Sequence, residues 1–179
     1  MTSDPLEGHW PKRLTGWRRV AARLPNQLFR IGLGPLFRGR LLRLVHTGRS
    51  TGLARETVVE VVEHTPGSAS WVVASGFGPK ADWYRNLRAH PQATIQSGRR
   101  YRLVTAHFVE PEEGGRIMAR YAAAHPRTAQ RLCRYMGLPV DRADRAGGAA
   151  ESYRAAGERI PFVRLQEDDV PRRGPAPDG

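Results

Sequence analysis

Residues 56–75 read ETVVEVVEHTPGSASWVVAS, two valine-rich runs separated by a Thr-Pro-Gly-Ser turn. Valine favours extended backbone. The connection at 65–68 is far shorter than the dozen or so residues that a parallel crossover needs. The runs 56–64 and 70–75 are therefore committed to an antiparallel hairpin. LLRLVHT (41–47) precedes them as a strand, with GRSTG (48–52) as its turn. Ala93–Ser97 and Tyr101–Val109 pair around Gly98-Arg99-Arg100, and Ile160–Gln166 makes a last strand. About six short strands joined mostly by hairpins, with helices inserted late, predict an α+β fold: a small antiparallel β-barrel with helical cover, not alternating βαβ units.

The helices follow from local signals. Pro79–Ala89 starts with proline in its first turn. Pro111-Glu112-Glu113 opens a second helix, with carboxylates where the helix dipole favours them. A third carries Leu132, Tyr135 and Met136 and stops at Gly137, before a polar loop at 139–150. Residues 14–31 place Trp17, Val20, Ala21, Leu24, Leu28 and Ile31 at helical spacing, interrupted by Pro25. Two readings of that helix are open: cover for the barrel or a dimer mate, and a basic amphipathic helix on anionic lipid. The expected organisation is a loose N-terminus (1–13), one domain (14–166) and a disordered tail (167–179).

Charge narrows the partners. The net charge is +12, and only Lys12 and Lys80 are lysines. Arginine suits bidentate recognition of phosphate and carboxylate. The arginines spread along the chain instead of forming one stripe, which argues against a specific nucleic-acid surface. The single cysteine, Cys133, excludes an internal disulfide and reads as a core residue. Neither a bilayer-spanning run nor a signal-type segment is visible. The expected location is cytoplasmic, with the inner membrane face as the alternative that residues 14–31 allow.

Two motifs carry chemistry. In GRSTGLAR (48–55), Gly48 and Gly52 bracket Arg49, Ser50 and Thr51, and Arg55 opens the next strand. The loop reads either as a concave anion nest with two hydroxyls and two guanidiniums beside it, or as an ordinary arginine-bearing turn. In VASGFGPKADWYRNL (73–87), Ala74, Ser75, Gly76, Phe77 and Gly78 form a small-residue turn where main chain can meet a flat heterocycle. Trp83 and Tyr84 follow as an aromatic wall or as core, and Asn86 as a brace for the loop. The Gly-x-Gly lacks the third glycine and the acidic residue of a dinucleotide fingerprint. The six histidines show no metal spacing, and no nucleophile elbow is present. The expected catalytic side chain and metal are therefore none, which suits an enzyme whose cofactor performs the reaction.

HTGRSTGLAR, a valine strand and VVASGFGPKADWYRNLRAHPQATIQ, in that order, resemble the deazaflavin-dependent nitroreductase family over roughly residues 40–110. The resemblance implies a split β-barrel reductase that uses the reduced coenzyme F420. It maps Arg49, Ser50, Thr51 and Arg55 onto the residues that bind the coenzyme's phosphate and acidic oligoglutamate tail. It maps Ala74, Ser75, Gly76, Phe77 and Gly78 onto the deazaflavin ring, with Lys80 and Trp83 nearby. Some members carry a lysine directly after the serine; here Gly76 takes that place and Lys80 comes four residues later. The implied reaction is hydride transfer to a quinone, nitroaromatic or other conjugated small-molecule acceptor, by a monomer or homodimer. FMN in the same fold is the alternative cofactor. A ligand- or nucleic-acid-binding barrel without chemistry is the alternative from another class.

Overall fold

The computed structural model describes residues 40–140 and 148–168. The helix expected over 14–31 and the segments 1–13 and 169–179 lie outside the described residues. The elements run β1 (Leu41–Thr47), β2 (Ala54–Glu63), β3 (Ser70–Ala74), a 3-10 turn (Gly78–Lys80), α1 (Asp82–Ala89), β4 (Gln92–Ser97) and β5 (Arg100–Phe108). Then come α2 (Pro111–Ala124), α3 (Pro126–Tyr135), α4 (Gly148–Arg159) and β6 (Phe162–Glu167).

Strict alternation builds the barrel wall. In β1, Leu42, Leu44 and His46 face inward, while Leu41, Arg43, Val45 and Thr47 stay partly exposed. The strands close into an antiparallel barrel in the order β1-β2-β3-β6-β5-β4, with β4 returning to β1. The two expected hairpins form, with Gly67 (φ +84°) and Gly98 (φ +61°) at their turns. The pairing of β3 with β6, Trp71 opposite Leu165 and Ala74 opposite Phe162, joins segments some ninety residues apart.

β3 has two apolar faces, as SWVVA suggests. Trp71 and Val73 point into the barrel with Leu42, Leu44, Ile95, Val104 and Leu165. Val72 and Ala74 point outward, into a second core made with Ile117, Met118, Tyr121, Cys133 and Phe162. Helices α2, α3 and α4 thus cover one side of the barrel, and Trp83, Tyr84 and Leu87 of α1 extend the barrel core itself.

Helix α4 corrects the sequence reading, which left 151–159 unassigned and started the last strand at Ile160. GAAESYRAAGER has little apolar periodicity of its own. Its helix is held by Tyr153, Ala156 and Gly157 against α2. The approach is close because glycines meet there. A Cβ on Gly157 would lie 2.5 Å from the Gly114 carbonyl oxygen and 2.5 Å from Met118 Cβ. Two rigid helices have no flexible end there to give way. Gly157→Ala is expected to destabilise the protein by about 1–3 kcal/mol. Gly148→Ala, where no described residue lies within 4 Å, should be neutral or slightly stabilising, because alanine is the better helix former. Urea denaturation of the two variants checks the contrast.

Candidate functional site

Two motif loops lie at the same end of the barrel: 48–53, between β1 and β2, and 75–81, between β3 and α1. The first is a tightly closed turn. Gly48 N–H donates to Leu53 O (2.8 Å), and Thr51 and Gly52 N–H donate to Gly48 O (3.2 and 2.8 Å). Leu53 N–H reaches Thr51 Oγ1 (3.4 Å), and Arg49 N–H donates to Asn86 Oδ1 (3.2 Å). Gly52 has φ +66°. This corrects the anion-nest reading. The loop's amides are spent on closing the turn, and only that of Ser50 has no partner among the described residues. The polar side chains at this loop are the exposed Ser50, Thr51 and Arg55, and the part-buried Arg49.

Arg49 is partly committed. Its Nη1 donates to Asn86 Oδ1 (2.8 Å) and to the Asp82 carbonyl (3.5 Å), and its Nη2 reaches Asp82 Oδ1 (3.3 Å). Nε and one Nη2 hydrogen have no partner among the described residues. Arg55 is exposed and forms no ion pair among the described residues. Lys80, at the end of the 3-10 turn, is likewise exposed and unpaired among them.

Asn86 ties the 48–53 loop to α1, the helix that follows the 75–81 loop. It is 4% exposed, on the α1 face that also carries Trp83 and Leu87. Its Oδ1 accepts from Arg49, which has only donors, so its Nδ2 must be the group that faces His46 Nδ1 at 3.2 Å. His46 is therefore the acceptor of that bond, neutral, with its proton on Nε2. Desolvation by burial pushes its pKa below the ordinary 6.5, opposed by a backbone hydrogen bond at Thr47; Arg55 lowers it further and Asp82 raises it. His46 and Asp82 were not singled out from sequence. The signal for His46 was a polar residue at an inward strand position; Asp82, exposed in the first turn of α1, carried no such signal.

The residues expected to line a ring differ in exposure. Gly76 and Phe77 are partly exposed, and their N–H groups have no partner among the described residues. Ser75 is a correction: it is fully buried, its N–H donates to Pro161 O (2.9 Å), and its hydroxyl donates to Gly78 O (2.7 Å). It shapes the turn from behind. Ala74 is also a correction, since its side chain packs under the helices. Trp83, 9% exposed and edge-on to Tyr84, closes the barrel core and does not stand as a free wall. The residue that does stand beside the loop is Tyr135 of α3, 47% exposed. It lies edge-on to Phe77 with ring centroids 5.9 Å apart, and 3.6 Å from where a Gly76 Cβ would be.

Burial pushes the Cys133 thiol up to about 12, and burial together with Glu60 pushes Tyr121 to about 12. Among the described residues no three His, Cys, Asp or Glu side chains converge on a metal-sized site, and no helix is long and apolar enough to cross a membrane.

The two glycines of the turn do different jobs. Gly78 sits at φ +68°, where a non-glycine residue costs about 1–2 kcal/mol. Gly76 is not in that region, and an added Cβ meets only ordinary contacts. Gly78→Ala is expected to lower stability by that amount, and Gly76→Ala by less than about 0.5 kcal/mol. Denaturation curves of the pair test this.

A pH dependence follows from His46. Its folded-state pKa is depressed, so the unfolded chain binds the proton more readily. The stability it contributes is present above the unfolded value of 6.5 and is lost as pH falls through the lower folded value. His46→Gln, which cannot titrate, should flatten the fall in Tm between roughly pH 7.5 and 5. An identical slope in both proteins would remove His46 as its source.

Residues 18–140 match the F420H(2)-dependent quinone reductase family. No curated protein matches the chain. Among solved structures, an F420-H2 dependent reductase, FDR-A, is 20% identical, with 71% of this chain and 94% of that chain covered and a TM-score of 0.46. HutZ, a heme storage protein from Vibrio cholerae, is 14% identical, with 83% and 92% covered and a TM-score of 0.47.

Proposed function

The chain belongs to the F420H(2)-dependent quinone reductase family, and from that premise we propose which residues hold the coenzyme and how they act. The protein is an oxidoreductase whose cofactor is reduced F420. Bound there, the coenzyme supplies the hydride; the chain supplies binding, orientation and electrostatics. A quinone-type small molecule fits the family as acceptor.

One observation carries the residue assignment. Asn86 hydrogen-bonds Arg49 of the 48–53 loop from the helix that follows the 75–81 loop. A cationic, hydroxyl-bearing loop is thereby fixed to the helix that leads out of the loop whose Gly76 and Phe77 amides have no partner among the described residues. Arg55, Lys80, Ser50 and Thr51, with the unspent edge of Arg49, are the donors for the coenzyme's phosphate and carboxylates. The amides of Gly76 and Phe77 are the donors for the ring. The half-exposed Tyr135, beside Phe77, offers an aromatic surface for a flat conjugated acceptor. Ser75, Ala74 and Trp83 support these loops from within.

This division sets an order among variants. Arg55 has no ion-pair partner to lose among the described residues, so Arg55→Ala is expected to act on binding. A well-formed charge-assisted contact is worth roughly 1.5–3 kcal/mol, so coenzyme affinity is expected to fall by about 10- to 100-fold. Turnover at saturating coenzyme should barely change, because the contact is equal in ground and transition states. FMN has one phosphate and no acidic tail, so its binding should respond less. Fluorescence titration with both cofactors, paired with steady-state kinetics, measures this. Wild-type F420 affinity in both Arg55→Ala and Arg49→Ala would sink the assignment.

A further inference from the structure

A buried polar chain runs from the barrel interior to the cationic loop. His46 is 5% exposed and Asn86 4% exposed. The links are His46 Nδ1 to Asn86 Nδ2 at 3.2 Å, Asn86 Oδ1 to Arg49 N–H at 3.2 Å, and Asn86 Oδ1 to Arg49 Nη1 at 2.8 Å. The amide of Asn86 is fully directional here. Its oxygen must face Arg49, which cannot accept, so its nitrogen must face a ring nitrogen that can. A neutral imidazole with its proton on Nε2 meets that demand. An imidazolium has donors on both nitrogens and places an N–H against the amide NH2. Turning the Asn86 amide to relieve this would put the NH2 against the Arg49 N–H and guanidinium. Neither amide orientation satisfies both neighbours once His46 is charged, and an unpaired buried donor is costly.

We propose that Asn86 is a positioning residue that transmits the protonation state of His46 to Arg49, so that the 48–53 loop is held for coenzyme binding only while His46 is neutral. The surroundings leave that role to His46. Its cross-strand neighbour on β2 is Arg55, on β4 it faces Ala93, and α1 contributes Asp82 and Asn86. Arg55 opposes the imidazolium and Asp82 favours it. Asp82 is itself ion-paired with Arg49. The link to coenzyme rests on the assignment of loop 48–53 made above, whereas the relay itself does not.

The experiment separates the two. In the free protein, NMR follows the Arg49 backbone amide and the Asn86 side-chain amide as pH is lowered. Both are expected to shift with the midpoint of the His46 ring resonances in wild type, and neither in His46→Gln. Amides that stay unchanged through the His46 midpoint overturn the relay. Coenzyme F420 affinity is then measured over the same range. Wild type is expected to lose about tenfold more than His46→Gln, the equivalent of one charge-assisted contact. Asn86→Asp supplies an acceptor to both neighbours, so it should bind F420 no more weakly when His46 is protonated. Parallel pH dependence in all three proteins overturns the coupling to coenzyme. If the amides move with His46 while Arg49→Ala binds F420 normally, the relay stands and the assignment of the loop fails.

Discussion

The arrangement depends on β3 being buried on both faces. Its inward residues, Trp71 and Val73, complete the barrel core, and its outward residues, Val72 and Ala74, anchor the helical layer. The pairing of β3 with β6 closes the ring of strands. Because β3 is fixed from two sides, the turn that follows it starts from a rigid base. Ser75 extends that base by donating through its N–H to Pro161 and through its hydroxyl to Gly78. The partly exposed pair Gly76 and Phe77 is thus held on a scaffold, as a site for a flat cofactor requires.

A second constraint is the single buried amide of Asn86. Open loops carrying arginines are usually mobile, and an exposed pair such as Arg49–Asp82 contributes little by itself. The Asn86 bonds are buried and directional, so they fix where the loop sits relative to α1. Charge and position are supplied by different residues. Arg55 and Lys80 are exposed cations; Asn86 and His46 are buried and set the frame.

Much of the site was legible in order but not in depth. GRSTGLAR and ASGFGPK marked the two loops, but Asn86, expected to brace the glycine turn of its own segment, braces Arg49 of the 48–53 loop instead. Ser75, Ala74 and Trp83 lie in the segment singled out, yet Ala74 and Trp83 pack into cores and the buried Ser75 hydroxyl bonds Gly78 within the turn. Period-two alternation says which residues share a face, but it breaks down where a strand is buried on both sides. Gly76 and Gly78 looked equivalent in sequence. Only Gly78 has a positive φ, and Gly76 is partly exposed beside Tyr135, which lies nearly sixty residues away in the chain.

The sequence by itself determined the local pieces: valine-rich strands, hairpins with turn residues that tolerate positive φ, proline-started helices and a surplus of arginine. These follow from backbone sterics and short-range chemistry, which a few neighbouring residues specify. The tertiary structure alone decided the pairing of β3 with β6, the existence of α4, the His46–Asn86–Arg49 chain and the meeting of Tyr135 with the glycine turn. Each of these joins residues tens of positions apart. Their energies come from shape, burial and hydrogen-bond geometry that exist only once the chain has closed on itself.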